Sequence, residues 1–284
     1  MRIAVLGVGL IGGSIGLAAR ERLRSEVVGW GHNRETVERA ARLGAVDRAA
    51  DSVADACAGA EIVFCAAPVA ALPELAREAL AASGPEAVVT DAGSTKRSIV
   101  TALGEDERFI GGHPLAGAET AGVENARADL FEGARWFLTP SERTGAALYD
   151  RLQRTIAGLG ARPQAIDAAA HDRLMATVSH LPHVLANVLS GQAAGELTRD
   201  SERMPEVGPS FRDATRVAGS NPSIWADIYS ANSDAVLAAI DDVIVRLGEA
   251  RELIVGGDRE AIAAWHERAG RLRDELVGDD ETRE

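Results

Sequence analysis

Gly7-Val8-Gly9-Leu10-Ile11-Gly12 has the spacing of a loop built around a diphosphate. The first glycine permits a tight turn, the second lets a pyrophosphate approach the backbone, and the third lets a helix pack closely on a strand. Amides at the start of the following helix, those of Leu10 and Ile11 among them, would face the negative charge. Gly111-Gly112-His113-Pro114-Leu115-Ala116-Gly117 sets a histidine just after an apolar run, where ligands of an open α/β sheet gather. An imidazole with an ordinary pKa of about 6.5 can take a proton near neutral pH. Asp91-Ala92-Gly93-Ser94-Thr95-Lys96 ends another apolar run, and Lys96 is the only lysine in a chain with 29 arginines. Either one lysine survived by chance or an ammonium is needed there. Ser179-His180-Leu181-Pro182-His183 carries two histidines three apart, near one helix face. Phe211-Arg212-Asp213-Ala214-Thr215-Arg216-Val217-Ala218 adds guanidinium groups, planar donors suited to carboxylates.

A glycine loop of this kind is weak evidence alone and strong evidence between a strand and a helix. A site specific for NAD would place Asp or Glu about 20 residues on, to bond the ribose 2′-hydroxyl. Here the second strand ends in Val28-Gly29-Trp30-Gly31-His32-Asn33-Arg34, with Gly31 where a carboxylate would stand. Nothing there repels a 2′-phosphate, and His32, Asn33 and Arg34 offer donors to one. The expectation is NADP use or dual use; the alternative is that Arg34 begins the next helix in solvent.

The elements that must position these groups follow from the apolar pattern. Runs at residues 2–6, 27–31, 61–66, 87–91 and 109–112 alternate with Ala-rich helix-length segments, which predicts a parallel sheet with helices on both faces. Residues 135–139 and 162–167 are expected as late strands of the same Rossmann-type NAD(P)-binding domain, residues 1–167. Residues 168–284 are expected to form an all-α substrate and dimerisation domain. There Leu174, Val178, Leu181, Leu185 and Val188 mark one helical stripe, kinked at Pro182. Asn221-Pro222 reads as a cap and first helical position opening a long helix with Ile224, Ile228, Ala231 and Ala235 on one face. A last helix, about 259–276, precedes a frayed acidic end. Helices with such faces often bury them against a second copy, so a homodimer through this domain is expected.

Composition excludes several classes. With 46% hydrophobic and 26% charged residues the chain is globular. Its formal net charge of −13, without a basic cluster, argues against nucleic acid and anionic membranes. Two cysteines, Cys57 and Cys65, are too few for a disulfide framework or a thiolate zinc site, and indicate a reducing cytoplasm. Arg2 and the apolar stretch to Ala19 resemble a signal peptide, but five glycines in residues 7–16 oppose that reading. Ser94 with a histidine would suit a hydrolase, yet no Gly-x-Ser-x-Gly elbow surrounds it. His171, His180 and His183 could in principle hold zinc; no metal is expected, given the kink at Pro182. Trp30, Trp136 and Trp265 read as packing residues.

Five ordered motifs, Gly-x-Gly-Leu-Ile-Gly-Gly-Ser, Asp-x-Gly-Ser-x-Lys, Gly-Gly-His-Pro-x-Ala-Gly, Ser-His-Leu-Pro-His and Arg-Asp-x-Thr-Arg-x-Ala, span nearly the whole chain. Together they resemble the prephenate and arogenate dehydrogenase family of tyrosine biosynthesis. The resemblance implies oxidation of a cyclohexadiene at its C4 hydroxyl, with hydride passing to nicotinamide. The hydroxyl loses its proton and the ring loses CO2 to become aromatic. It also implies roles. His113 draws off the hydroxyl proton, and Ser94 hydrogen-bonds that histidine and the hydroxyl. Arg216 pairs with a substrate carboxylate, and His183, with His180, lies on the substrate side. Trp225 and Glu119 fall at the pocket mouth, and Lys96 lies near the cofactor or substrate. Glu119 could pair with the ammonium of arogenate, so arogenate, or an amino-substituted analogue, stays open, while prephenate is named first because many members of the family accept it. A β-hydroxyacid dehydrogenase would need a lysine in the second half, which has none. A non-catalytic dinucleotide sensor would need neither His113 nor Arg216.

Overall fold

The computed structural model describes residues 1–117, 120–197 and 207–278. They form two compact units, Met1–Val236 and Leu237–Glu284. The helices from Ala168 to Ala231 therefore pack as one body with the sheet, while the expected division at 167/168 follows the change from strands to helices.

An eight-stranded sheet organises the first unit: β1 (Arg2–Leu6), β2 (Glu26–Trp30), β3 (Arg48–Ala49), β4 (Ile62–Cys65), β5 (Val88–Asp91), β6 (Phe109–Pro114), β7 (Arg135–Thr139) and β8 (Arg162–Ala165). Their order is β3-β2-β1-β4-β5-β6-β7-β8. Five adjacent pairs from β3 through β6 are parallel, β6 and β7 are antiparallel, and β7 and β8 are parallel again. Successive side chains of a strand face opposite sides. Ile3 and Val5 accordingly join one apolar core with Ile15, Phe64 and Trp136, while Ala4 and Leu6 join another with Val63, Leu75 and Phe109. The crossover helices are α1 (Leu10–Leu23), α2 (Arg34–Arg42), α3 (Val53–Cys57), α4 (Leu72–Ala82), α5 (Arg97–Leu103) and α6 (Ala146–Gly158). The two-residue β3 has no apolar run to announce it, and the sequence reading lacks it.

Downstream come α7 (Ala168–Met175), a π-helical turn (Ala176–His180), α8 (Leu181–Leu197), α9 (Pro209–Thr215), a 3₁₀ turn (Arg216–Gly219), α10 (Pro222–Ala231), α11 (Ser233–Gly256) and α12 (Arg259–Val277). The kink expected at Pro182 is a widened turn. Pro182 has no N–H to return to Val178, and the Leu181 amide instead reaches the Ala176 carbonyl five residues back. Asn221 caps α10 through its side chain, as expected, but the long helix expected there divides at Asn232 into α10 and α11.

The largest departure concerns the apolar stripe. Leu174, Val178, Leu185 and Val188 are exposed, whereas His171, Asp172, Met175, Ala176 and His180 are buried. The polar side of this helix faces the sheet. Trp265, expected as a packing residue, is also exposed. Among the described residues no helix is long and apolar enough to cross a membrane.

Candidate active site

The first turn of α1 follows β1 directly. Gly7 has φ +100°, and a Cβ there would stand 2.3 Å from the Ala66 carbonyl oxygen. At Gly12 a Cβ would come within 1.9 Å of the Gly7 carbonyl oxygen, which is why helix and loop can pack so closely. A Cβ at Gly9, by contrast, would meet nothing within 4 Å. The loop thus leaves open space at its second glycine, and no side chain caps the amides of Leu10, Ile11 and Gly12. This cradle fits a pyrophosphate on uncapped helix amides.

Just past the end of β2, Gly31 brings no carboxylate. Asn33 spends its side-chain oxygen on the Thr36 amide as the cap of α2, at 3.2 Å. His32 is exposed and packs edge-on against Trp30. Arg34 is exposed, but its guanidinium holds Glu38 at 3.0 Å and also pairs with Asp51. A carboxylate is therefore present after all, brought by the end of β3, where a reading confined to the second strand could not find it.

His113 lies inside β6, one residue from its end, and not just after the strand. Its Nδ1 is 2.9 Å from Nε2 of His171 on α7. His171 Nδ1 in turn donates to Asp172 Oδ1 at 2.8 Å. Asp172 also accepts the backbone N–H groups of Lys96, at 2.7 Å, and Arg97, at 2.9 Å. This line ties the sheet to the helices that follow it. Burial pushes the Asp172 carboxyl up, but the bonds from His171, Arg97 and Lys96 outweigh it and leave its pKa below the ordinary carboxylate value. For His113, burial comes first and the neighbouring His171, Lys96 and His180 add to it, driving its pKa well below 6.5. Burial thus favours the neutral ring.

Lys96 is completely buried, and its ammonium pairs with the equally buried Asp91. Burial lowers its pKa while Asp91 opposes that shift. Asp91 also accepts from the Gly112 amide at 3.0 Å and the Gly93 amide at 2.8 Å. Lys96 therefore stands behind the site and fixes the strand end that carries His113; it is not an exposed cation for a ligand.

On the helical side His183 stacks on Trp225, with ring centroids 3.5 Å apart and planes 25° apart. His183 Nε2 is 3.4 Å from Ser220 Oγ, at the end of the turn that starts with Arg216. Arg216 is exposed and that turn packs on α8. His180 is buried, packs edge-on against Trp225 and lies 3.3 Å from Asn232 Nδ2, which also donates to the Asp172 carbonyl at 2.8 Å. Burial lowers the pKa of His180 to about 4 and, to a smaller extent, that of His183.

His113, His171, Asp172, His180, Trp225 and His183 thus belong to one network within the first unit. Ser94 is half-buried, and no hydrogen bond joins it to His113; the partner of that ring is His171. Glu119 lies outside the described residues. Sequence reasoning missed Asp172, Asn232 and the part played by Asp91, and weighed His171 only as a zinc ligand. The adjacent His171-Asp172 pair opposite an apolar stripe is the one signal that pointed to them.

The chain matches the family model described as prephenate dehydrogenase, nucleotide-binding domain, over residues 15–164. It matches that described as prephenate dehydrogenase, dimerization domain, over residues 167–268. It is 34% identical over 286 residues to prephenate dehydrogenase of Bacillus subtilis, covering 96% of this chain and 76% of that protein. It is 32% identical to cyclohexadienyl dehydrogenase of Zymomonas mobilis, covering 99% of this chain and 98% of that one. Among solved structures, prephenate dehydrogenase from Aquifex aeolicus with hydroxyphenyl propionate and NAD+ superposes with a TM-score of 0.91 at 30% identity, covering 97% and 98% of the two chains.

Proposed function

Because this chain belongs to the prephenate and arogenate dehydrogenase family of NAD-dependent oxidoreductases, we propose that it oxidises and decarboxylates prephenate to 4-hydroxyphenylpyruvate. The observation that carries the reading is a neutral imidazole, His113, held near the end of β6 by a histidine and a carboxylate of the helical segment. Bound nicotinamide would supply the hydride acceptor, held by the Gly7–Gly12 loop and the first amides of α1.

His113 Nε2 accepts the proton of the C4 hydroxyl. Ser94, at the neighbouring strand end, orients that hydroxyl. Arg216 pairs with a substrate carboxylate, where a charged, forked donor is worth about 1.5 to 3 kcal/mol. The stacked His183 and Trp225 wall the substrate side, and His180 supports that wall from behind. Because aromatisation drives the loss of CO2, these side chains have only to position the ring and take one proton. His113→Asn removes the base and leaves the walls intact.

A second reading, turnover of arogenate as well, is favoured by the end-to-end match to the cyclohexadienyl dehydrogenase of Zymomonas mobilis. For the cofactor, Gly31 and the exposed Arg34 support NADP or dual use, in competition with the Glu38 and Asp51 carboxylates that Arg34 already holds. A cytoplasmic homodimer is part of the same proposal, supported by the dimerization-domain match and by the exposed apolar side chains of α11 and α12. Rates measured for prephenate and arogenate, each with NAD and NADP, test the choices of substrate and cofactor. Prephenate is expected to turn over and NADP to serve at least as well as NAD. Turnover of arogenate alone would overturn the first choice of substrate, and a strong preference for NAD the choice of cofactor.

A further inference from the structure

Behind His113 stand two buried residues, His171 and Asp172, to which the proposed reaction gives no part beyond holding that ring. We propose that they are positioning residues which fix the proton of His113 on Nδ1 and so leave its Nε2 bare to accept the substrate proton. The proposal rests on the reading of His113 as the base.

The argument is one of donors and acceptors. An ionised carboxylate can only accept, so the 2.8 Å contact requires His171 to carry its proton on Nδ1. A neutral ring protonated there has a bare Nε2. That atom lies 2.9 Å from His113 Nδ1, which must then donate. A neutral His113 with its proton on Nδ1 has its lone pair on Nε2, and the tautomer of the base is settled two residues away.

Every member of this line is itself held. Asp172 receives the two backbone amides at the start of α5, and Asn232 holds its carbonyl. His171 is buried, with its ring edge-on to Phe137 at 5.5 Å, so it cannot turn to offer the other nitrogen without repacking. In the reaction the hydroxyl O–H bond breaks and the Nε2–H bond forms. The imidazolium then keeps its Nδ1–H on His171, with the Asp172 carboxylate next in line, and returns its proton from Nε2 to water. No proton has to move along the line. The other groups facing His113 are Lys96 with Asp91 at the ends of the neighbouring elements and His180 from the π-helical turn.

The test is nitrogen NMR of the full chain labelled with ¹⁵N-histidine, the His113 signals being assigned by their absence in His113→Asn. Wild type should show His113 as the Nδ1–H tautomer. His171→Leu should show a mixture, with kcat lower by roughly 10²-fold and little change in KM. His171→Gln, whose side-chain oxygen can accept from His113 Nδ1, should restore the tautomer and most of kcat. An Nε2–H tautomer in the wild type, or an unchanged tautomer in His171→Leu, would overturn the proposal. So would a His171→Leu protein whose only defect is a lower unfolding temperature. The wild-type and Gln spectra decide the matter even if the Leu variant does not fold. Because the spectra need no substrate, a correct tautomer in a protein that turns over neither ring compound would place the failure in the proposed reaction instead.

Discussion

Two regions of this molecule invert the usual rule of burial, in opposite senses. Where β5 and β6 meet α7 in the first unit, Asp91, Lys96, His171, Asp172, His180 and Asn232 are buried. In the second unit, α11 beyond Val236 and α12 leave Ile244, Leu247, Ile254, Val255 and Leu272 exposed, Val255 at 66%. Buried polar groups cost free energy unless each finds a partner, and the partners here converge on His113. Exposed apolar groups in quantity usually mark a surface that another molecule covers. The first inversion belongs to chemistry, the second to assembly.

The largest effect is expected at the centre of the buried network. His113→Asn should lower kcat by roughly 10²- to 10⁴-fold with substrate affinity little changed; a variant that keeps wild-type turnover would show that the polar network serves only the fold. Next comes Lys96→Met, which leaves Asp91 buried without its cation. It should cost about 3 to 5 kcal/mol in urea unfolding, and a loss below ~1 kcal/mol would mean that the pair is not closed off from water. Arg216→Gln should act mainly on KM, by about 1.5 to 3 kcal/mol, as read from steady-state rates.

A smaller effect is set by pH. Burial lowers the pKa of folded His113, His180 and His183, so the unfolded chain takes up protons first as pH falls below about 6.5. Their contribution to stability is complete above that pH and is lost on the way down, for His180 by about pH 4. Each such ring adds a slope of up to about 1.4 kcal/mol per pH unit. Unfolding temperatures measured across this window should fall less steeply for His180→Gln than for wild type. An equal slope would mean that this ring stays hydrated.

The smallest effect on the fold is expected on the apolar faces. Ile254→Asp should shift stability of the separated chain by less than ~0.5 kcal/mol yet lower the molar mass seen by light scattering. An unchanged mass would leave that face outside the dimer.

The same contrast explains what was legible in the sequence. The glycine loop and the strands β1, β2, β4, β5 and β6 announce themselves because local spacing and burial agree. His113 is also legible, since a lone histidine after Gly111-Gly112 at a strand end has few structural reasons to be there. The orientation of α7 and α8 was not, because an amphipathic helix says which residues share a face and not which face turns inward. Leu174 and Val178 pointed to a core that the histidines occupy instead. Asp51 and Asn232 were hidden for a different reason: each acts through a partner far away in sequence, Arg34 for one, Asp172 and His180 for the other.

The central claim is that the base at His113 serves an oxidative decarboxylation. Reduced nicotinamide and released CO2, followed together as the purified chain acts on prephenate or arogenate, test it most directly. One CO2 for each hydride transferred is the expected result. A protein that binds the dinucleotide but reduces none of it with either ring compound would contradict the account.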